Sequence, residues 1–437
     1  MNSRRSALCL PLPAGERVGE RANSALRRSA LLVAFLAAPA LAIDVQYQVA
    51  VRTDVRARTP LPGDVNPNAP TGDLELGPLG EVTLGGDTST FSLQYAPTLI
   101  WREPQTGGRL LPLHRGRVTF ANRWQRATLL VTEDAAYGVA DIGSLRAADG
   151  APLGGVNEVQ TIGSVPYVRS ATLLSLDTRP SDLLTLGFSA GFAVSGSIEL
   201  SDTLPLQYGP SGAVRARVSV SRTDGLTTLA GVTSAQFVTG AEQLVAAISE
   251  TWDHQVSRTV ALTVGAGAAF TRELVVARAV PTSFDPTPGL YADVLPVVAT
   301  TLGWRDVLSG HPLRLDASLR MAPFSDRFTA NVYERLEGRL AGEWLPERRW
   351  TVTAAAGAAV ALPIGASLVA PARNTAQAGD QVISGEANVA WTPETWLLLQ
   401  ASARVLWTAQ PSVGNPGAVQ AVGTVSVTVL QRDSLAW

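Results

Sequence analysis

Residues Val45–Thr59, VQYQVAVRTDVRART, alternate in character with a period of two. Val45, Tyr47, Val49, Val51, Thr53, Val55 and Ala57 hold the odd positions. Gln46, Gln48, Ala50, Arg52, Asp54, Arg56 and Arg58 hold the even ones. That period belongs to an extended strand whose two faces meet different solvents. A strand in a soluble sheet usually runs about five or six residues. One crossing a bilayer at a tilt needs roughly 9–11 residues within the hydrocarbon, which this stretch supplies.

The segment before it has the layout of an export signal ending at Ala42. Arg27 and Arg28 form a basic region, Ala30–Ala38 (ALLVAFLAA) an apolar core, and Ala40-Leu41-Ala42 a small-residue cleavage site. The apolar run is too short for a comfortable helical span. Residues 1–24 are too polar for an ordinary signal and are expected to be an extension upstream of the true start. Cys9 follows Leu8 and so does not sit in a lipid-attachment motif. Residues 43–437 are expected to form one domain. Removing 1–42, with six Arg and two Glu, takes the formal net charge from −2 to −6. The remaining chain has no cysteine, which excludes disulfides and thiol chemistry. There is no lysine, so all 35 basic residues are arginine. No stretch after the signal reaches 18 consecutive apolar residues, which excludes helical membrane spans. Charged residues make up 16% of the chain, and mean hydropathy is +0.14. Such a balance suits a membrane barrel, where half of each strand is polar.

The alternation recurs down the chain. Strands are expected at Val45–Thr59, Asp73–Gly85, Thr90–Arg102, Leu113–Trp124, Ala127–Tyr137 and Tyr167–Thr178. Six more fall at Leu183–Ser195, Ala213–Ser221, Thr227–Phe237, Leu244–Val256, Thr259–Phe270 and Leu290–Leu302. The last six are Leu313–Met321, Phe328–Trp344, Trp350–Leu362, Val382–Trp391, Trp396–Trp407 and Val419–Gln431. Pro97 is read as a bulge inside its strand, because proline cannot donate to the ladder. The total is 18, with 16 as the fallback, and an even number lets the first and last strands close antiparallel. Connections alternate in length. Tight ones (Gly86–Thr88, Gln125-Arg126, RPSD at 179–182, TDGL at 223–226, Ser257-Arg258, LPER at 345–348, TPET at 392–395) alternate with long ones, including Gly138–Pro166, Gly196–Gly212, Thr271–Gly289 and Pro363–Gln381. The fold class is therefore all-β: an antiparallel up-and-down transmembrane β-barrel with short periplasmic turns and longer extracellular loops.

Tryptophans mark both ends of the strands. Trp124, Trp304, Trp344, Trp350, Trp391, Trp396 and Trp437 fall near short turns or the C-terminus, and Trp101 and Trp407 at the opposite ends of their strands. The amphipathic indole favours the headgroup level, so these residues are expected to form two aromatic girdles. With its terminal aromatic, Trp437, and Leu435 two residues before it, the chain resembles the Gram-negative outer-membrane β-barrel proteins, porin-like, across residues 43–437. The resemblance implies residence in the outer membrane, contact with lipid and lipopolysaccharide, and assembly by the barrel-assembly machinery. Gln431 and Asp433 depart from the apolar alternation before that terminal aromatic. The long-loop, Arg-lined pattern also resembles barrels that accompany exopolysaccharide export, which implies a periplasmic export partner. No nucleic-acid partner is indicated.

Chemistry finds little support. His114, His254 and His311 lie in different hairpins with no metal-ligand spacing, so no metal, cofactor or catalytic residue is expected. His254 and Ser257 are close enough in sequence for a hydrolase pair, but the surrounding TWDHQVSRT lacks that pattern. Gly265–Phe270 (GAGAAF) lacks the third glycine and the following helix of a dinucleotide loop. Asp64, Asn66, Asn68 and Asp73 are a candidate calcium or lipopolysaccharide counter-ion loop, weighed against a merely solvated one.

The polar parity is more informative. It assigns Arg52, Asp54, Arg56, Arg102, Arg215, Arg217, Arg314, Asp316, Arg320, Arg335, Glu337, Arg339 and Arg404 to the lumen. An arginine on the lipid face at mid-bilayer would cost about 2–4 kcal/mol. These residues either brace the wall as charge ladders or make a cationic-leaning pore for anions. Glu334 breaks the pattern, with the lipid-facing parity of Val332 and Leu336. The leading expectation is a non-enzymatic conduit for small or anionic solutes, with Gly138–Pro166 its first candidate constriction. The alternatives are an export translocon for a secreted polymer such as exopolysaccharide, and a structural or adhesive barrel acting through its loops.

Overall fold

The computed structural model describes residues 44–59, 71–102, 109–141, 164–198, 205–276, 288–325, 332–362, 381–410 and 415–436. The export signal, Asp64, Asn66, Asn68, Trp437 and most of Gly138–Pro166 lie outside them. The strands in the first half are β1 (Asp44–Arg58), β2 (Thr71–Gly85), β3 (Ser89–Tyr95), β4 (Thr98–Arg102), β5 (Arg109–Arg123), β6 (Ala127–Asp141), β7 (Ser164–Thr178), β8 (Leu184–Ser197) and β9 (Gln207–Ser219). Those in the second half are β10 (Asp224–Phe237), β11 (Glu242–Gln255), β12 (Val260–Val275), β13 (Gly289–Leu308), β14 (His311–Ser325), β15 (Val332–Glu347), β16 (Trp350–Leu362), β17 (Gln381–Glu394), β18 (Leu397–Gln410) and β19 (Asn415–Ala436).

Consecutive strands pair antiparallel, and β1 also pairs with β19, which closes the sheet. At the seam Arg432 Nε donates to Gln48 Oε1 at 2.8 Å, Arg52 Nη2 to Ser426 Oγ at 3.4 Å, and the Thr59 N–H to the Ala421 carbonyl at 2.9 Å. One partner number rises as the other falls, so the seam is antiparallel too. β3 and β4 are two halves of one crossing, because both pair with β2 and β5. The barrel therefore has 18 wall strands, each corresponding to one expected from the alternation.

Two sequence expectations need correction. Pro97 is not a bulge: the register against β2 and β5 is the same on either side of Ala96-Pro97. The ladder is only interrupted where proline lacks a donor, while the Ala96 N–H still reaches the Arg115 carbonyl at 2.9 Å. The register shifts fall instead at Trp344/Glu347, Trp391/Glu394 and Thr408/Gln410. The first two lie in the related segments WLPE and WTPE, whose prolines coincide with the shifts. Second, many strands run past their expected ends. β13 continues to Leu308 and turns through Ser309 (φ 54°) and Gly310 (φ 82°), a two-residue turn with both central residues left-handed, as a tight hairpin favours.

Connections at the end of the barrel where β1 begins are two to five residues long. Those at the other end range from four residues (238–241, between β10 and β11) to 22 (142–163). Packing is inverted relative to a soluble protein. Large apolar side chains such as Val55, Val294, Leu340 and Val425 are 55–71% exposed, and they share the outer face. Small polar and charged groups take the inner face. The described barrel, Asp44–Leu435, forms a single unit.

Candidate functional site: the inner wall

The register places Arg52, Asp54, Arg56, Arg215, Arg217, Arg314, Asp316, Arg320, Arg335, Glu337, Arg339 and Arg404 on the face opposite the exposed apolar band. Arg102 has the same parity on β4, beside outward Trp101. Carboxylates accompany the arginines. Arg52 Nε lies 2.7 Å and Arg56 Nη2 3.4 Å from the carboxylate of Asp54, itself only 1% exposed, and Arg56 also pairs with Glu75. Arg117 meets Asp134 at 2.5 Å, Arg314 meets Asp316 at 2.6 Å, and Arg335 meets Glu337 at 3.6 Å.

Three further pairs reach over an intervening strand. Arg215 on β9 meets Asp177 on β7 at 2.8 Å, Arg217 on β9 meets Asp253 on β11 at 3.4 Å, and Arg339 on β15 meets Glu386 on β17 at 3.2 Å. Side chains converge in this way on the concave side of a curved sheet. The strand between must present small residues, and it does: Gly187 is the register partner of both Arg215 and Asp177. A Cβ on Gly187 would lie 2.7 Å from Asp177 Oδ1 and 3.3 Å from Arg215 Nε. Gly225 underlies Arg217 in the same manner, and Gly357 is the register partner of Arg339. Arg320 and Arg404 lie directly opposite Glu337 and Glu386 in register. The pairs just described join eight arginines (52, 56, 117, 215, 217, 314, 335, 339) to eight carboxylates (54, 75, 134, 177, 253, 316, 337, 386) among the described residues.

Reading arginines by parity missed most of these acids. Asp134 and Asp177 sit on inner faces that also carry Leu130 and Leu173, so alternation alone does not sort them.

Toward the long-loop end the inner wall of β12 and β13 is covered. Thr271, Glu273, Asp293 and Leu295 are all buried. The Val332 N–H donates to Glu273 Oε2 at 2.5 Å, and Ser325 Oγ bonds Gln243 on β11. Leu295, Tyr333 and Ala361 form an apolar cluster with Phe324 and Val382. The ends of β14 and β15 thus reach past β13 to side chains of β11 and β12.

Glu334, Glu133 and Glu250 share the outer-face parity, as do Asp224, Glu242 and Asp306 near strand ends. Glu334 is buried opposite Pro323 and Leu362, with no register shift beside it. It is the third residue of β15, near the rim, and neither carboxylate oxygen has a hydrogen-bond partner among the described residues. Glu133, which parity had not flagged, lies near the middle of β6 and accepts hydrogen bonds from Ser170 Oγ at 2.7 Å and from Thr172. Two hydroxyls satisfy a carboxylate that the hydrocarbon could not. Glu250, on β11, is exposed there.

Trp124, Trp304, Trp344, Trp350, Trp391 and Trp396 lie toward the short-turn end, and Trp101 and Trp407 toward the other. Trp350 and Trp391 stack with centroids 5.6 Å apart. Trp344 Nε1 has no hydrogen-bond partner among the described residues. His254 and Ser257 do not form a pair: His254 Nδ1 bonds Asp224 at 2.7 Å and stacks on Trp252, while Ser257 Oγ accepts from the Thr259 and Val260 backbone N–H groups. His114 bonds the hydroxyl of Tyr95 at 2.7 Å. No cluster of metal-ligating side chains occurs among the described residues.

A closed antiparallel 18-strand wall with an apolar exterior, a charged interior and alternating short and long connections defines an outer-membrane β-barrel of a Gram-negative bacterium. The profile of the EpsX exopolysaccharide export family matches residues 39–434, so the chain belongs to that family. No curated protein matches it. Among solved structures it is similar to the outer membrane protein OpdK of Pseudomonas aeruginosa, at 12% identity and TM-score 0.46 over 89% of this chain and 99% of that one. A second structure of that protein, described as OccK1, gives 13% identity and TM-score 0.49 over the same shares. OccAB1 of Acinetobacter baumannii gives 11% identity and TM-score 0.47 over 89% of this chain and 96% of that one.

Proposed function

We propose that the barrel is the outer-membrane conduit through which an exopolysaccharide leaves the cell. The observation that carries this reading is the family match over nearly the whole barrel. It is supported by an inner wall whose charged and polar groups suit an aqueous passage. A barrel of this strand number has room for a water-filled lumen. Lumen-facing charge is set by the residues named above. Energy and direction would come from a periplasmic partner at the short-turn end, where both ends of the described barrel lie. The tryptophans at each end would anchor the wall at the headgroups, and the barrel-assembly machinery would insert it.

Deleting the gene in its own host and measuring surface polysaccharide and small-anion uptake tests the proposal. Loss of surface polysaccharide, restored by the intact gene, is expected, with uptake unchanged. Normal polysaccharide with impaired anion uptake would overturn export in favour of a diffusion porin. Single-channel recording of the refolded protein in planar bilayers adds the state of the lumen: steady conductance for an open passage, intermittent for one that closes.

A further inference from the structure

Resting on the conduit reading, we infer that an acidic surface of the periplasmic partner docks on one half of the short-turn rim, the four neighbouring turns from β5 to β12. Each of these turns presents an exposed arginine: Arg126, Arg179, Arg222 and Arg258. None of the four shares an ion pair with a described residue. Taking each turn with the residue on either side of it, this half holds those four and Arg123 against Asp182 and Asp224. Asp224 is already engaged by Ser221, Thr223, Trp252 and His254. The other four turns, from β13 round to β3, hold Arg348 and Arg349 against Asp87, Glu347 and Glu394. One half of the rim is therefore net positive and the other slightly negative.

The positive half is also held in shape. Val220–Thr223 and Val256–Thr259 are the same four residues, Val-Ser-Arg-Thr, and fold the same way. Ser221 Oγ accepts from the Thr223 and Asp224 N–H groups, each at 3.0 Å. Ser257 Oγ accepts from those of Thr259 and Val260 at 3.2 and 3.1 Å. A serine turn of this kind fixes the backbone around the arginine it encloses. Backbone hydrogen bonds tie the turns to their neighbours: the Arg179 N–H to the Arg126 carbonyl at 2.7 Å, and the Gln255 N–H to the Thr223 carbonyl at 2.8 Å. Arg126 Nη1 also donates to the Pro180 carbonyl at 3.1 Å. A surface fixed in this way loses little freedom when it binds, which lowers the cost of association. Arginine is enriched at protein interfaces, and a positive patch steers an acidic partner and sets its orientation. Phospholipid surrounds the whole wall, so arginines kept for its phosphates would be spread over all eight turns. Their gathering on one half favours a protein docked there.

The test compares the two halves of the rim in the host. One variant combines Arg179→Glu, Arg222→Glu and Arg258→Glu; the other combines Arg348→Glu and Arg349→Glu. None of these residues lies in a strand, and heat-modifiable migration checks that each barrel assembles. Surface polysaccharide is expected to fall at least about tenfold in the first variant and to stay within about twofold in the second. A photo-reactive amino acid at exposed Ser181 is expected to cross-link a periplasmic protein, and one at exposed Thr395 on the other half is not. The triple reversal should abolish that cross-link, and Asp or Glu to Arg changes in the captured protein should restore it together with export. Should the triple reversal fail to assemble, Arg222→Gln with Arg258→Gln takes its place with the same expected direction. Normal export by the assembled variant, equal loss from both halves, or cross-linking of Ser181 to phospholipid alone would each overturn the inference and leave the conduit reading standing. A deletion strain that loses no polymer would overturn the conduit reading, and the inference with it.

Discussion

Replacing Asp54 should weaken the barrel at its seam. The residue is 1% exposed and its carboxylate holds two guanidiniums from its own strand, Arg52 at 2.7 Å and Arg56 at 3.4 Å. Arg52 also reaches Ser426 on the closing strand. A hydrogen bond to a charged group contributes about 1.5–3 kcal/mol when shielded. Arg52 is 50% exposed, and screening reduces its share to about 1 kcal/mol or less. Arg56 is 23% exposed and keeps Glu75 as a partner, so it loses only part of its stabilisation. Glu75 is also the register partner of Asp54, and removing one of two facing carboxylates returns roughly 0.2–1 kcal/mol. The net expectation for Asp54→Ala is a loss of about 1–2 kcal/mol. Combined with Arg52→Ala, the double-mutant cycle should show a coupling of about 0.5–1 kcal/mol. Urea unfolding of the barrel in lipid vesicles, followed by tryptophan fluorescence and by heat-modifiable migration, gives both numbers. A loss below about 0.5 kcal/mol together with no coupling would refute the seam role of this carboxylate.

Other perturbations test separate parts of the wall. Gly385 faces outward with open space around its Cβ position, so Gly385→Ala should stabilise by about 0.5–1 kcal/mol in urea unfolding. Gly187→Ala should not, because the new methyl collides with the Arg215–Asp177 pair above it. Trp350→Ala and Trp391→Ala should couple by about 0.5–1.5 kcal/mol in a double-mutant cycle, as their stacked rings require. Asp224 accepts hydrogen bonds from Ser221, Thr223 and Trp252 and bonds His254, which fixes the β9–β10 turn. Asp224→Ala should therefore speed trypsin cleavage after exposed Arg222 by roughly threefold or more, read from the short-turn side of outer-membrane vesicles.

The strands were legible because a membrane barrel writes its two solvents into alternate residues. Val45–Thr59 and Val260–Phe270 show this plainly, and every expected strand has a counterpart in the barrel. Strand ends were less legible, since glycine and proline near Gly209, Pro210 and Gly212 look like loop while the ladder runs through them. Pro97 misled for a related reason: a missing donor interrupts hydrogen bonding without inserting a residue. Within the inner wall, arginine parity located the cations but not their partners. Which acid faces which arginine depends on register, and pairs such as Arg339–Glu386 skip a strand, which no local pattern encodes. Glu133 looks misplaced in the sequence and makes sense only beside Ser170 and Thr172 on the next strand. The meeting of Val332 with Glu273 is a contact between distant segments with no signature in either.

Cysteine accessibility along β9 tests most directly the claim that one parity of each strand faces water and the other lipid. After removal of Cys9 by substitution, single variants Val214→Cys, Arg215→Cys, Ala216→Cys, Arg217→Cys and Val218→Cys are treated with a charged, membrane-impermeant thiol reagent in lipid vesicles. Fast labelling at 215 and 217, with slow labelling at 214, 216 and 218, is the predicted outcome. Labelling at similar rates at all five positions, or fast only at the even ones, would contradict the inner wall described here.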